Sequence, residues 1–215
     1  MTATGASRIS TTTRKRRRSQ AERSAASSAA ILDAAVELFY EAGTRASMME
    51  IGRRSGFSHG LVMARFGSKD GLIAAVGQEI HRRFRTEVFT LLEGKRGLAA
   101  LHGFIDAYCD SLLRQSPSTS AFLVLLGEAL GPKEIIRQAF AELDGIVRGM
   151  LGEMLDEAKA EGVVPTRLST DGTAVLLFAM LRGIGIQARI NPEAVDIDSA
   201  RHAAHALLRA AFGQG

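Results

Sequence analysis

The sequence predicts an all-α fold in two parts. Apolar residues recur at three- and four-residue spacing, alanine and leucine dominate, and only four prolines interrupt the 215 residues. Those properties suit helices better than sheets. Charge divides the chain: residues 1–85 carry 15 Lys/Arg against 7 Asp/Glu, and residues 86–215 carry 12 against 16. A basic first third and a mildly acidic remainder suit one part to phosphates and the other to a different task. A chain of this length can bury a substantial core. The single cysteine, Cys109, excludes an internal disulfide framework and fits a reducing cytoplasm. No apolar run is expected to reach the roughly 18–20 residues that cross a bilayer, so no membrane partner is expected. The basic N-terminus is not followed by the apolar core of a signal peptide.

Residues 1–26 are rich in Ser, Thr and Ala and include the run Arg14-Lys15-Arg16-Arg17-Arg18. With little to bury, they are expected to form a disordered basic arm, which either follows DNA phosphates or is a solvated tail. A first helix is predicted from Ser27 or Ser28 to Ala42, with Ile31, Ala34, Ala35, Leu38 and Phe39 inward and Gly43 at its end. Ser47 and Glu50 are spaced as a capping box for a second helix. Met48, Ile51 and Gly52 face inward there, and Gly56 supplies the left-handed residue that ends it. Ser58 caps a third helix to Phe66, with Leu61 or Val62 and Phe66 available for the interior. Two short helices joined by a glycine-containing turn, over 47–66, form the geometry that sets the second helix in a DNA major groove.

DNA-contact candidates follow from those positions. The N–H groups of Ser47 and Met48 and the helix dipole attract a phosphate. Arg45 just before them either adds charge or faces solvent. Of Arg53 and Arg54, one is expected to pair within the domain while the other faces solvent or phosphate. On the third helix, Ser58, His59 and Arg65 are the polar candidates. Leu61, Met63 and Ala64 are apolar side chains that can touch a thymine methyl, and Gly60 permits close approach. Few direct hydrogen bonds to bases are therefore expected, with more reliance on phosphates and the arm.

Ile31, Leu32, Ala34, Ala35, Leu38, Phe39 and Gly43, then Ile51, Ser55-Gly56-Phe57-Ser58, Gly60, Phe66, Ser68-Lys69 and Leu72, together resemble the TetR (tetracycline-repressor) family of transcriptional regulators. The resemblance implies a three-helix, helix-turn-helix DNA-binding domain over 27–85 and a helical effector-binding and dimerisation domain over 86–215. It implies a homodimer on a double-stranded DNA operator, a small-molecule effector, and a phosphate contact from Lys69. The recognition helix departs from the family pattern, which commonly has Tyr at Met63, a polar or histidine residue near Ala64, and Thr at Leu61.

A longer helix is predicted from Leu72 to about Leu92, which in the family links the two domains. Gly77 weakens it by roughly 1 kcal/mol relative to Ala and permits local bending. The functional boundary is set near Arg85. Beyond it, helices are predicted over 98–114, 121–130, 132–161 and 170–190, with Ser116-Pro117-Ser118 as a turn and Asp198 capping a last helix to Phe212. The 170–190 helix is apolar on most faces and must be covered on most sides. Leu176, Leu177, Met180, Leu181, Gly183, Ile184 and Gly185, with Ala203, Ala206, Leu207, Ala210 and Ala211, either build a two-fold four-helix interface or complete a monomer core. The interface is the usual arrangement in the family.

Phe104, Tyr108, Phe122, Leu126, Met150, Met154, Phe178 and Met180 are candidates for lining an apolar ligand cavity, or are ordinary core. Tyr108 and Glu128 are polar within apolar runs, and a ligand can partner such a group once it is buried. His102 and Cys109 are too few for a metal site, and the five histidines, 59, 81, 102, 202 and 205, are dispersed. His202 and His205, three apart on the last helix, are a possible metal pair but more simply a solvated or interface face. No nucleotide-binding glycine loop, nucleophile elbow or His–carboxylate cluster is evident, so no enzymatic activity, cofactor or metal is expected. The sequence reading is a repressor released from a palindromic operator by a small, largely apolar ligand. Its alternative is a weakly specific, salt-sensitive, nucleoid-type DNA-binding protein without an effector.

Overall fold

Serine side chains cap the starts of most helices in the structure, a computed structural model that describes residues 19–114 and 116–212. Among the described residues there are nine α-helices and no strand: α1 (Gln20–Ala42), α2 (Met48–Ser55), α3 (His59–Phe66), α4 (Lys69–Leu91), α5 (Gly97–Leu113), α6 (Pro117–Ala129), α7 (Glu134–Ala160), α8 (Thr170–Ile190) and α9 (Ile197–Phe212). A short 3-10 turn, Gly43–Arg45, joins α1 to α2.

Three boundaries differ from the sequence expectation, each for a local reason. Helix α1 starts at Gln20 because Ser19 and Glu22 form a capping box: Glu22 N–H donates to Ser19 Oγ at 3.1 Å, and Ser19 N–H to Glu22 Oε2 at 2.6 Å. Residues 20–26, expected in the arm, are therefore helical. The run Arg14–Arg18 lies outside the described residues. Ser116-Pro117-Ser118 opens α6 rather than forming a turn, since Ser116 accepts from Thr119 N–H and proline is tolerated where no intrahelical donor is needed. The carboxylate at the start of α9 is Asp196, not Asp198; it accepts from the N–H groups of Asp198 and Ser199 at 3.0 and 3.2 Å.

Two apolar cores lie along α4. The first gathers Ile31, Phe39, Ile51, Val62, Leu72 and Val76 from α1–α4 with Leu125, Ile136 and Phe140 from α6 and α7. The second gathers Leu101, Phe104, Leu151, Leu155, Phe178, Leu181 and Leu208, and takes Val88 from the far end of α4. Each such fully buried side chain contributes about 1.5–3 kcal/mol. Helix α4 is continuous through Arg85, so the two cores share one rod. Gly77 lies inside that continuous helix. The glycine lies under the Phe140 ring, where an added Cβ would stand 2.8 Å from Cε2, and the missing side chain lets α7 approach.

Helix α8 corrects another expectation: by length and composition it could cross a bilayer, with mean hydropathy 1.4 over its apolar window. One side of it packs inward through Ala174, Phe178, Leu181 and Gly185. Val175, Leu176, Ile186 and Ile190 are exposed, Leu176 by 71%, while Leu177, Met180, Gly183 and Ile184 are half-buried. Leu207 of α9 is exposed too, with Ala203, Ala206, Ala210 and Ala211 beside it in helical register.

Candidate DNA interface and effector cavity

Helices α2 and α3 cross closely because Gly52 has no side chain. A Cβ there would stand 2.9 Å from Phe57 O and 3.3 Å from His59 N. Gly56 takes the left-handed conformation at φ 79° and ψ 18°, and Phe57 N–H returns to Gly52 O at 2.9 Å. Ser58 then caps α3 through Leu61 N–H. Val62 is fully buried and Phe66 half-buried, which leaves His59, Gly60, Met63 and Ala64 exposed on the outer face. This is the helix-turn-helix arrangement predicted from residues 47–66, with α3 as recognition helix.

The remaining DNA candidates divide by position. Ser58, Arg45 and Arg65 are exposed, and Leu61, Ser47 and Lys69 are half-buried. Leu61 and Arg65 flank a groove whose other wall is Gln20, Ala21, Arg23, Ser24 and Ser27 of α1. The Met48 side chain is buried in the first core, so it offers a phosphate only its N–H; Met49, which the sequence reading missed, is 68% exposed. Ser47 N–H already donates to Glu50 Oε2 at 2.7 Å. Hydrogen bonds from Ser47, aided by Arg53 and Lys69, hold the Glu50 carboxylate below its ordinary range. Arg54 is the internal partner of the arginine pair, bridging to Glu37 and Glu41 of α1, while Arg53 is exposed.

Glu128 is engaged by protein side chains. Its carboxylate accepts from Thr44 Oγ1 at 2.6 Å and from Lys133 Nζ at 3.0 Å, and Lys133 also reaches Asp70 at 3.2 Å. The bonds from Thr44 and Lys133 lower its pKa. This network ties the α6–α7 corner to the turn before α2 and to the first turn of α4.

A cavity of about 70 Å³ lies between the cores. Its walls are Ile80, His81 and Phe84 of α4, Tyr108, Ser111 and Leu112 of α5, Thr119, Phe122 and Leu123 of α6, Leu143, Asp144 and Val147 of α7, and Phe178 and Arg182 of α8. Of the predicted liners, Tyr108, Phe122 and Phe178 are there. Phe104 stands behind them, edge-on to Phe84 with centroids 6.2 Å apart. Leu126 packs on the first core; Met150, Met154 and Met180 pack on the second.

Polar groups in the wall are few. The Ser111 and Thr119 hydroxyls donate to the carbonyls of Tyr108 and Ser111. Arg182 grips Asp144 through two bonds of 2.8 Å while its guanidinium lies 4.2 Å over the Phe178 ring. Burial pushes the Tyr108 phenol up to about 12. His81 is 7% exposed, and its Nε2 has no hydrogen-bond partner. Burial, with Arg85 nearby, holds its pKa below the ordinary imidazole value. Sequence reading missed His81, Asp144 and Arg182 because each sits alone in its own helix. The one legible signal was that His81 adjoins Ile80 on the apolar stripe of α4.

Comparison with known proteins agrees with this geometry. Residues 31–76 match the profile of bacterial regulatory proteins of the tetR family, and residues 97–213 match the C-terminal profile of BetI-type transcriptional repressors. The HTH-type transcriptional repressor Rv3405c of Mycobacterium tuberculosis is 35% identical over 97 residues, 41% of this chain and 52% of that protein. The chain thus spans about half the length of this relative. A TetR-family transcriptional regulator from Rhodococcus superposes with a TM-score of 0.78 at 19% identity, over 87% of this chain and 99% of that one. FadR of Bacillus subtilis, solved in complex with stearoyl-CoA, superposes with a TM-score of 0.75 at 20% identity, over 86% and 98% of the two chains. At such identities the structural likeness speaks for the fold. The two profile matches, the second spanning more than half of the sequence, add the lineage: the chain belongs to the TetR family of bacterial transcriptional regulators.

Proposed function

We propose that this regulator acts in the cytoplasm as a homodimeric repressor, bound to a palindromic double-stranded operator until a small, largely apolar effector enters the cavity. The observation that carries the reading is the position of α4. Its N-terminal end, at Lys69, follows the recognition helix, and its middle, at Ile80, His81 and Phe84, forms a cavity wall. A ligand that favours a different seat for α4 would change the spacing of two recognition helices in a dimer. It can do so only by its differential affinity for the two seats. The repressor named among the relatives and the stearoyl-CoA held by FadR support this reading.

Residues 27–85 would form the DNA-binding domain and 86–215 the effector and dimer domain, although α6 and α7 lend side chains to the core of the first. DNA contacts are assigned to Arg45, the N–H groups at Met48 and Met49, the α3 face from Ser58 to Arg65, and Lys69. The exposed apolar stripes of α8 and α9 are assigned to the dimer interface, since patches of this kind mark association surfaces.

The test selects bound fragments from a library of the source genome with the purified full chain, then titrates them at several salt concentrations. A shared inverted repeat, bound far more tightly than bulk DNA by a dimer that Leu176→Glu disrupts, is the expected result. Uniform binding that collapses with salt would overturn the operator reading and favour a nucleoid-type protein.

A further inference from the structure

The cavity described above has in its wall a buried histidine with an unpartnered ring nitrogen, and one ion pair that discourages charge. His81 lines the wall, is more than nine-tenths buried, and leaves Nε2 without a partner. A buried polar atom of this kind is uncommon and calls for a matching group. Arg182 and Asp144, by contrast, satisfy each other with two bonds of 2.8 Å, and the arginine is further held against Phe178. An anionic ligand would meet the Asp144 carboxylate, and a cationic one the Arg182 guanidinium. Either would also give up its hydration in a cavity walled mainly by Ile80, Phe84, Phe122, Leu143 and Val147.

We infer that the effector is an uncharged molecule with an apolar body and one hydrogen-bonding group, of the alcohol or phenol class, which it presents to the imidazole of His81. A hydroxyl suits the imidazole because it both donates and accepts, and so pairs with either neutral tautomer. The bond would be made to α4 itself, placing the polar recognition on the helix that leads to the DNA-binding unit. This inference rests on the cavity being the effector site.

Four single-ring probes of similar size test it on the full chain at pH 7.5: benzyl alcohol, toluene, benzoate and benzylammonium. Binding is read by calorimetry and by NMR of the histidine ring protons. The wild type is expected to bind both neutral probes more tightly than either charged one, with the His81 resonance moving on addition of benzyl alcohol. In His81→Leu the ratio of alcohol to toluene affinity should fall roughly five- to tenfold, the worth of one hydrogen bond. In His81→Gln, which keeps a hydrogen-bonding side chain, the ratio should hold. A ratio unchanged in His81→Leu, a charged probe that outcompetes the neutral ones, or no binding by any probe would overturn the inference.

Operator affinity measured beside each titration separates the two readings. Benzyl alcohol bound through His81 with DNA affinity unchanged supports the ligand class and removes the effector role. Release of DNA by a charged probe supports the effector role and overturns the ligand class.

Discussion

The Thr44 hydroxyl donates to the Glu128 carboxylate at 2.6 Å, joining the turn that leads into α2 to the last turn of α6. Lys133 closes the network onto Asp70 at the start of α4. The helix-turn-helix and its neighbours are thus tied to α6 and α7 by polar contacts as well as by shared core. Thr44→Val leaves Glu128 with Lys133 alone and is expected to lower stability by about 1 kcal/mol. It should also weaken the change in operator affinity that effector causes, while unliganded affinity shifts only a few-fold. Thermal unfolding and fluorescence anisotropy measure the two effects. An effector response equal to the wild type's would show that the shared core alone carries the coupling.

Gly52→Ala tests the crossing of α2 and α3. In an exposed helix this substitution would be stabilising by up to about 1 kcal/mol. Here the new methyl meets the Phe57 carbonyl oxygen at 2.9 Å, which is backbone and cannot rotate away. A net loss of about 1–3 kcal/mol is expected, with operator binding reduced at least tenfold as α3 is displaced. Chemical denaturation and anisotropy measure both. A stabilised variant with intact binding would remove the close-packing account.

Glu79 joins α4 to α1 electrostatically. It accepts from Arg82 and Arg83, and Arg83 also reaches Asp33 of α1. The two arginines hold the Glu79 carboxyl at about 2, below its ordinary 4.5. A depressed carboxylate pKa stabilises the folded state above the unfolded value, and that contribution is lost as pH falls from about 4.5 towards 2. Glu79→Gln should therefore cost about 1–2 kcal/mol at pH 7, solvent screening of the exposed arginines reducing the full effect. The gap between wild type and variant, read from denaturation midpoints, should close as pH falls through that window.

His102 and His205 bring α5 and α9 together, with their Nδ1 atoms 2.5 Å apart and His205 Nε2 facing Asp106 Oδ1 at 2.8 Å. Only one proton fits between the two Nδ1 atoms. Burial, the neighbouring His205 and Arg209 lower the His102 pKa, against the opposing pull of Asp106. For a base with a lowered pKa, the stabilisation is present above the unfolded value near 6.5 and is lost as pH falls below it. The wild-type Tm should thus drop about 2–4 °C further between pH 7.5 and 5.5 than that of His102→Leu. Equal drops would show that the histidine pair does not titrate against folding.

Much of the DNA-binding unit was legible because its signals are local. Ser47 with Glu50, Gly56 and Ser58 act within four residues of themselves, and the structure has each in the role its spacing implied. The start of α1 was misplaced because its alanine- and serine-rich first turns bury little, so periodicity gave no sign of the box at Ser19 and Glu22. Pro117 suits a turn and the first position of a helix equally, and only the Ser116 cap decides for the helix. Gly77 was read through its helix propensity, whereas its place is explained by the Phe140 ring of a helix more than 50 residues away.

By itself, then, the sequence determined the all-α fold, the helix-turn-helix and its outer face, because caps, periodicity and a close helix crossing are written in neighbouring residues. Tertiary structure alone decided the cavity and the joint. Phe104, Leu126, Met150, Met154 and Met180 carried the same apolar signal as Tyr108, Phe122 and Phe178, and only packing separated those that border a void from those that fill a core. Glu128 acquired partners from Thr44 and Lys133. His81, Asp144 and Arg182 acquired meaning when α4, α7 and α8 converged, since a buried polar atom is defined by what the rest of the chain places, or fails to place, within hydrogen-bonding distance of it.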